Sequence, residues 1–243
     1  MTDKRVLITG ATQGIGYSVA KVLSPNYNVF ICGRNEIKLR ENALKLGCKG
    51  FFAIDLTQKG AVELLYKNVI DVMGHIDVLI NNAGQYVYSR IEGTKDDDLT
   101  RLLTLNTVVP FKLSRLVVPD MKLNKYGRII NIGSISGVVG EGNASLYSMT
   151  KSALMGLTKS LALELAEFGI TVNTINPGWV DTNLIDNDNL KSEFSEQEIL
   201  DMIPQRRFVH PEEVARMCEY LISDSAKGIT GQGLNICAGL TLG

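Results

Sequence analysis

Tyr147-Ser148-Met149-Thr150-Lys151 sets a phenol and an ammonium four residues apart, with Ser134 thirteen residues before the tyrosine. On a helix that spacing is ~6 Å along the axis at ~1.5 Å per residue. Residues four apart also share a face. A free phenol titrates near ~10 and is a poor acid or base at neutral pH. A fixed positive charge beside it stabilises the phenolate and lowers that value. The pair is therefore expected to act as a tuned proton donor. A serine hydroxyl brought alongside would bind the oxygen that gains charge. The same spacing also occurs on plain solvated helix faces, so the elements that carry the pair decide the reading.

Those elements alternate. Strand-like apolar runs are Arg5–Thr9, Asn28–Cys32, Phe51–Ile54, Asp77–Ile80, Arg128–Ile132, Thr171–Ile175 and Gly233–Ile236. Helical patterns fall between them at Gly14–Leu23, Asn35–Leu46, Gln58–Met73, Asp96–Leu123, Leu146–Glu167 and Pro211–Leu221. Nearly continuous apolar strands are covered on both faces. The alternation predicts an α/β fold: a Rossmann-type, doubly wound parallel sheet of about seven strands with helices on both faces. One domain over 1–243 is expected, with a nucleotide-binding half (about 1–90) and a catalytic and substrate half (about 91–243). Residues 183–205 are polar and break the rhythm just after a strand, where ligands bind in such sheets. They read as a substrate flap or as a surface insertion.

Thr9-Gly10-Ala11-Thr12-Gln13-Gly14-Ile15-Gly16 follows the first strand and opens the first helix. Such glycines permit a tight turn and close backbone approach to a diphosphate, which the helix N-terminus favours. NAD-binding folds place a carboxylate after the second strand, whereas arginine suits the 2′-phosphate of NADP. Here Gly33 and Arg34 stand there, which favours NADPH over NAD. Gln13 adds no charge, and Glu36 lies close by. Asp55-Leu56, ending the third strand, suits an adenine amino group. Asn81-Asn82-Ala83-Gly84, after the fourth, suits either the adenosine side or a role in holding the sheet.

The composition narrows the classes. The 243-residue chain is 45% hydrophobic with a formal net charge of −1. It can bury a substantial core, and its charge gives no reason to expect nucleic-acid or membrane-surface binding. No apolar run reaches the length of a membrane span. The N-terminus leads directly into a strand and shows no signal-peptide pattern. Four scattered cysteines read as reduced thiols in a cytoplasmic protein. His75 and His210 lack partners at ligand spacing, so no metal site is expected.

Taken in order, these motifs resemble the short-chain dehydrogenase/reductases over essentially the whole chain. The glycine turn is Thr9 to Gly16 and the Asn-Asn-Ala-Gly motif Asn81 to Gly84. The active-site asparagine looks like Asn106, the serine like Ser134 and the Tyr-x3-Lys pair like Tyr147 and Lys151. Asn176-Pro177-Gly178-Trp179-Val180-Asp181-Thr182 matches the Pro-Gly motif after the sixth strand. The resemblance implies an NADP-dependent oxidoreductase acting on CH–OH or ketone groups. Tyr147 would protonate the carbonyl oxygen and Ser134 would bind it, with Ser136 a competitor for that role. Lys151 would lower the Tyr147 pKa and hold the nicotinamide ribose. Asn106 would support a water leading to Lys151. Gly10, Thr12, Gln13, Gly14, Ile15, Gly16, Arg34, Asp55, Leu56, Asn82, Ala83 and Gly84 would bind the cofactor, as would Tyr147, Lys151, Pro177, Gly178, Val180 and Thr182.

Within the family the chain is most similar to 3-oxoacyl-(acyl-carrier-protein) reductases and polyketide ketoreductases. That implies a 3-oxoacyl thioester substrate, with a small ketone or secondary alcohol as the alternative. A non-catalytic NADP-binding regulator is a further reading, disfavoured because the whole active-site set is present. Gly137–Leu146 would line the substrate pocket. Lys122, Lys125 and Arg128 are candidates to dock an acidic acyl-carrier protein, although Phe168 stands where such reductases often carry arginine. The family's common homotetramer would pair helices 96–123 and 146–167. Leu154, Leu157, Leu161 and Leu165 are either its interface or core.

Overall fold

Residues 3–182 and 195–241 are described by the computed structural model. Seven strands form one sheet: β1 (Arg5–Thr9), β2 (Asn28–Gly33), β3 (Gly50–Ala53), β4 (Val78–Asn81), β5 (Gly127–Ile132), β6 (Ile170–Pro177) and β7 (Gly233–Ile236). All pairings are parallel, in the order β3-β2-β1-β4-β5-β6-β7. The order reverses between β1 and β4, the switch point beside which ligands bind in open sheets.

Alternation along each strand builds two cores. Val6 and Ile8 of β1 face one layer with Ile31, Ile80 and Ile130. There they meet α1 (Gly14–Leu23), α2 (Glu36–Leu46) and a C-terminal helix, Pro211–Ile222. Leu7 points the other way with Phe30, Leu79, Ile129 and Val172, against α3 (Ala61–Met73) and two later helices. Every residue of β5 and β6 is buried, as central strands covered on both sides must be.

The helix expected over 96–123 is not a uniform α-helix. α4 (Asp96–Leu103) passes through a wide π-type turn at Thr104–Val108 into α5 (Val109–Leu123). Pro110 explains the break locally, because it has no N–H for the Asn106 carbonyl four residues back. The Val109 N–H instead bonds Thr104, five residues back. Such turns concentrate at functional sites, and this one carries Asn106.

After β5 come the single turn α6 (Ser136–Val139) and the long α7 (Ser145–Leu165). Of the suggested flap, residues 183–194 lie outside the described residues. Ser195 begins α8 (Glu196–Met202) through a capping box with Glu198, and α9 is Pro211–Ile222.

The edge of the sheet where the strands begin is closed by charge. Asp77 is 5% exposed and accepts from the Arg5 N–H at 2.8 Å, with His75 at 3.3 Å and the Arg5 guanidinium at 3.7 Å. A buried carboxylate requires such donors, and here they are supplied. Arg128 stands on the same edge, 3% exposed, bonding the Gly127 and Gly169 carbonyls and lying 4.4 Å from the Tyr126 ring.

Candidate active site

A cavity of about 660 Å³ lies at the opposite edge, where the strands end. Of the residues expected to bind a cofactor, all but Gly16 line it. Gly16 is a packing residue instead. A Cβ there would overlap the Gly10 carbonyl and come within 2.5 Å of the Asn82 amide nitrogen. The turn itself needs glycine: Gly10 has φ +70° and Gly14 has φ +57°. A side chain on Gly10 would also stand 2.8 Å from the Ala83 Cα.

The two readings of Asn81–Gly84 separate by residue. The Asn82 side chain donates to the carbonyls of Thr9 at 2.9 Å and Gly10 at 3.0 Å, tying the glycine turn to β4. Asn81 donates to Asn131 at 2.9 Å, and Asn131 to Thr158 at 2.9 Å, which joins β4 and β5 to α7. Asn82, Ala83 and Gly84 still line the cavity; Asn81 does not.

Arg34 is exposed and borders the cavity, and it forms no ion pair among the described residues. The neighbouring Glu36 is turned to Arg40 at 3.1 Å, so it does not neutralise Arg34. Asp55 accepts from the Thr57 N–H at 3.0 Å and the Thr57 hydroxyl at 2.8 Å. These bonds to Thr57, the backbone one foremost, hold its carboxyl below the usual carboxylate range.

At the other end of the cavity β5 delivers Ser134, and α7 delivers Tyr147 and Lys151. Lys151 is 5% exposed and donates to the Ile132 carbonyl at 2.7 Å. Burial lowers its pKa to about 8. Its ammonium lies 5.7 Å from the Tyr147 ring centre. Tyr147 goes the opposite way from the sequence expectation. Burial raises its pKa to about 12, which outweighs the lowering influence of Ser134. Desolvation of the phenolate is the largest influence on it. Tyr147 is therefore protonated at neutral pH, as a proton donor to a carbonyl must be.

Asn106 does not line the cavity. It is 1% exposed, accepts from the Gln85 N–H at 2.9 Å, and donates to the Gln85 carbonyl at 2.9 Å and the Thr150 hydroxyl at 3.0 Å. Its amide and the Lys151 ammonium converge on Gly84, where a Cβ would stand 3.3 Å and 3.4 Å from them.

Sequence reading placed Glu141 in the pocket-lining stretch Gly137–Leu146 without singling it out, and it missed Tyr86. Glu141 accepts from Tyr86 at 2.6 Å and from Ser136 at 2.6 Å, inside the cavity. Tyr86 meets Tyr147 edge to face at 4.9 Å between ring centres, and Trp179 packs nearby with Tyr88 and Ala144. Burial, then the Glu141 bond, holds the Tyr86 phenol well above its usual range. The signal for Glu141 was a lone carboxylate in a loop of small and apolar residues. Ser136 is not a substitute for Ser134: it accepts from the Ser134 hydroxyl at 3.0 Å and gives its N–H back to Ser134 at 3.1 Å.

Lys122, Lys125 and Arg128 are not at the cavity mouth of this chain. They precede or begin β5, so parallel strands put them at the opposite edge of the sheet, and none lines the cavity. The Lys122 ammonium lies 4.5 Å from the Phe168 ring, also at that edge. The leucine stripe on α7 also divides. Leu154 and Leu165 are core, at 1% exposure each, and Leu157 and Leu161 are half-buried; Leu163, outside that stripe, is 86% exposed.

Comparison with known proteins agrees with this geometry. A family profile described as enoyl-(acyl carrier protein) reductase matches residues 10–241. The 3-oxoacyl-(acyl-carrier-protein) reductase FabG of Rickettsia conorii is 36% identical over 243 residues, covering 100% of this chain and 98% of that protein. A solved variant of the actinorhodin polyketide ketoreductase with NADPH is 34% identical, has a TM-score of 0.92, and covers 98% of this chain and 97% of its own. YwfH, an NADPH-dependent reductase involved in bacilysin biosynthesis, is 27% identical with a TM-score of 0.92 and full coverage of both chains. The chain belongs to the short-chain dehydrogenase/reductase family of oxidoreductases.

Proposed function

We propose that this protein reduces a ketone with NADPH, and that the ketone is a 3-oxoacyl thioester. The observation that carries the reading is Tyr147 set with Ser134 and Lys151 at one end of a cavity whose other end presents Arg34 and the glycine turn.

The cavity fits the cofactor. The glycine turn leaves a backbone cradle that a Cβ would obstruct, and Arg34, in no ion pair among the described residues, offers a guanidinium for a 2′-phosphate. Gly10, Thr12, Gln13, Gly14 and Ile15 would hold the diphosphate at the N-terminus of α1. Arg34 would take the 2′-phosphate, and Asp55, Leu56 and Asn82 to Gly84 the adenosine side. Lys151 would hold the nicotinamide ribose, and Pro177, Gly178, Val180 and Thr182 the nicotinamide end. When bound, NADPH supplies a hydride to the carbonyl carbon. Tyr147 gives its proton to the carbonyl oxygen, and Ser134 orients that oxygen. Asn106, fixed by Gln85 and Thr150, would support a water leading to Lys151.

The substrate class rests on similarity to FabG and to polyketide ketoreductases. An acyl-carrier protein is the proposed donor of that chain. A small ketone or secondary alcohol is the alternative. We place the protein in the cytoplasm as a homotetramer; no helix among the described residues is long and apolar enough to cross a membrane. The test is NADPH oxidation with a 3-oxoacyl thioester, an enoyl thioester and a simple ketone, each repeated with NADH. Turnover of the 3-oxoacyl thioester with NADPH well above the others supports the reading. A preference for the enoyl thioester, or for NADH, would sink it.

A further inference from the structure

Each oxygen of the Glu141 carboxyl group accepts a hydrogen bond at 2.6 Å, one from the Tyr86 hydroxyl and one from the Ser136 hydroxyl. Both of those groups bear on a reacting side chain. The Tyr86 ring stands edge to face with Tyr147 at 4.9 Å between ring centres. Ser136 accepts from the Ser134 hydroxyl at 3.0 Å and donates its N–H back to it at 3.1 Å. A single side chain thus ties together the supports of the phenol and of the hydroxyl that a carbonyl oxygen would meet.

We propose that Glu141 is a positioning residue for both reacting side chains, holding Ser134 through Ser136 and Tyr147 through Tyr86. This deepens the ketone-reductase reading and rests on it. In this role Glu141 transfers no proton; it fixes where two hydroxyls stand. Tyr147 and Ser134 must reach the same oxygen, so their separation has to be held, and a shared anchor holds it. A misplacement of about 1 Å between reacting groups can slow a reaction ~10²-fold.

The loop that carries Glu141 is itself anchored. Gly140 ends α6 at φ +79°, a turn that glycine takes readily, and its N–H bonds the Ser136 carbonyl at 3.1 Å. That turn brings Glu141 back beside Ser136. Two residues on, the Asn143 side chain donates to the Tyr88 hydroxyl at 3.0 Å, and the Asn143 carbonyl accepts from the Ser89 N–H. Residues 86–89 and 141–143 are therefore cross-linked at Glu141 and again at Asn143, so Tyr86 and Glu141 meet as parts of one wall. Both line the cavity, as do Ser134, Ser136 and Tyr147.

Glu141→Ala cuts both supports, whereas Ser136→Ala and Tyr86→Phe cut one each. Tyr86→Phe keeps the ring against Tyr147 and removes only its tie to Glu141. Thermal melting confirms folding, and if Glu141→Ala does not fold the two single-hydroxyl variants carry the test. With a 3-oxoacyl thioester, each hydroxyl variant should lower kcat about fivefold and Glu141→Ala about 25-fold, in the first turnover by stopped flow as well. NADPH affinity and ketone KM should stay within about twofold. Ser136→Ala with Tyr86→Phe should multiply, but neither should add to Glu141→Ala. Glu141→Gln keeps the length and can bond a hydroxyl at each end, because a hydroxyl both donates and accepts. It should recover most of the Glu141→Ala loss. A glutamine variant as slow as alanine would overturn the proposal, since charge rather than tethering would then matter. So would an unmoved kcat, a loss confined to KM or NADPH affinity, or further loss on adding a hydroxyl variant to Glu141→Ala. A second readout needs no turnover. In nucleotide-free protein with ring-labelled tyrosine, the NMR signal that Tyr147→Phe removes should broaden in Glu141→Ala and stay narrow in Glu141→Gln. Equal widths in both variants and wild type would overturn the tether to Tyr147. Absence of turnover with every ketone would instead overturn the reductase reading, and the NMR signal would still judge the anchor.

Discussion

Tyr147 meets opposing influences, and their order sets its chemistry. Burial raises it to about 12, and Ser134 pulls down against that. Lys151, in the same low-dielectric pocket, is lowered to about 8. Tyr147→Phe removes the phenol proton set beside Ser134 and Lys151. It should cut kcat by roughly 10²–10⁴-fold, the usual worth of a positioned acid, while NADPH affinity measured by fluorescence barely changes. Arg34→Ala tests the other end of the cavity. A charge-assisted bond to phosphate is worth about 1.5–3 kcal/mol, so NADPH should bind roughly 10- to 100-fold more weakly and NADH almost unchanged. An unaltered NADPH-to-NADH ratio in calorimetry would remove Arg34 from cofactor recognition. The residue scale was also where sequence reading gave its direction of shift wrongly. Spacing shows that a tyrosine and a lysine share a face, but not how strongly burial opposes the phenolate.

At the scale of elements the pattern was largely legible. Strands with apolar residues on both faces and amphipathic helices between them leave little choice but a doubly wound sheet. The clustering of Ser134, Tyr147 and Lys151 at one cavity was legible because they sit on short local spacings or just after a strand. What the pattern did not carry was irregularity. The π-type turn at Thr104–Val108 hides inside a helical rhythm, and only Pro110 hints at it. The Glu141 contacts depend on Tyr86 and Ser136, 55 and 5 residues away, so no periodicity announces them. Similarly, basic residues near the middle of the chain were assigned to the cavity mouth, yet the parallel topology puts them at the far edge. The glycine turn gives the test at this scale. Gly16→Ala forces a methyl into Gly10 and Asn82, and overpacking of this kind costs about 1–3 kcal/mol. Thermal unfolding should show a clear drop in Tm, and cofactor affinity should fall with it because the turn is displaced.

For the molecule as a whole, the buried Lys151 links stability to pH. Its folded pKa of about 8 lies below the ordinary lysine value of 10.5, so between those values the unfolded chain binds more protons than the folded one. Stability contributed by this site therefore rises with pH through that window, and the cost is fullest below pH 8. Tyr147 acts in the opposite sense, its contribution declining only as pH climbs from 10 toward 12. In nucleotide-free protein, the melting-temperature difference between Lys151→Met and wild type should favour the variant more at pH 7 than at pH 10. A difference that does not move with pH would mean the ammonium is better solvated than its burial indicates. The outer faces of the helices bear on assembly. Val108, Phe111 and Leu163 are 41%, 50% and 86% exposed, and apolar surface of this kind marks contacts between chains when it is contiguous. Phe111→Glu with Leu163→Glu should lower the mass seen by light scattering from a tetramer to a smaller species.

The sheet has one edge of loops that touch the cavity and another closed by Asp77, Arg5, His75 and Arg128. Inheritance acts differently on the two. A duplicated copy of this gene can accumulate changes in the loops leaving β4, β5 and β6 and so acquire a new ketone, while the clamp that secures folding stays untouched. The same polarity tells a breeder of variants where to randomise and where to leave the chain alone.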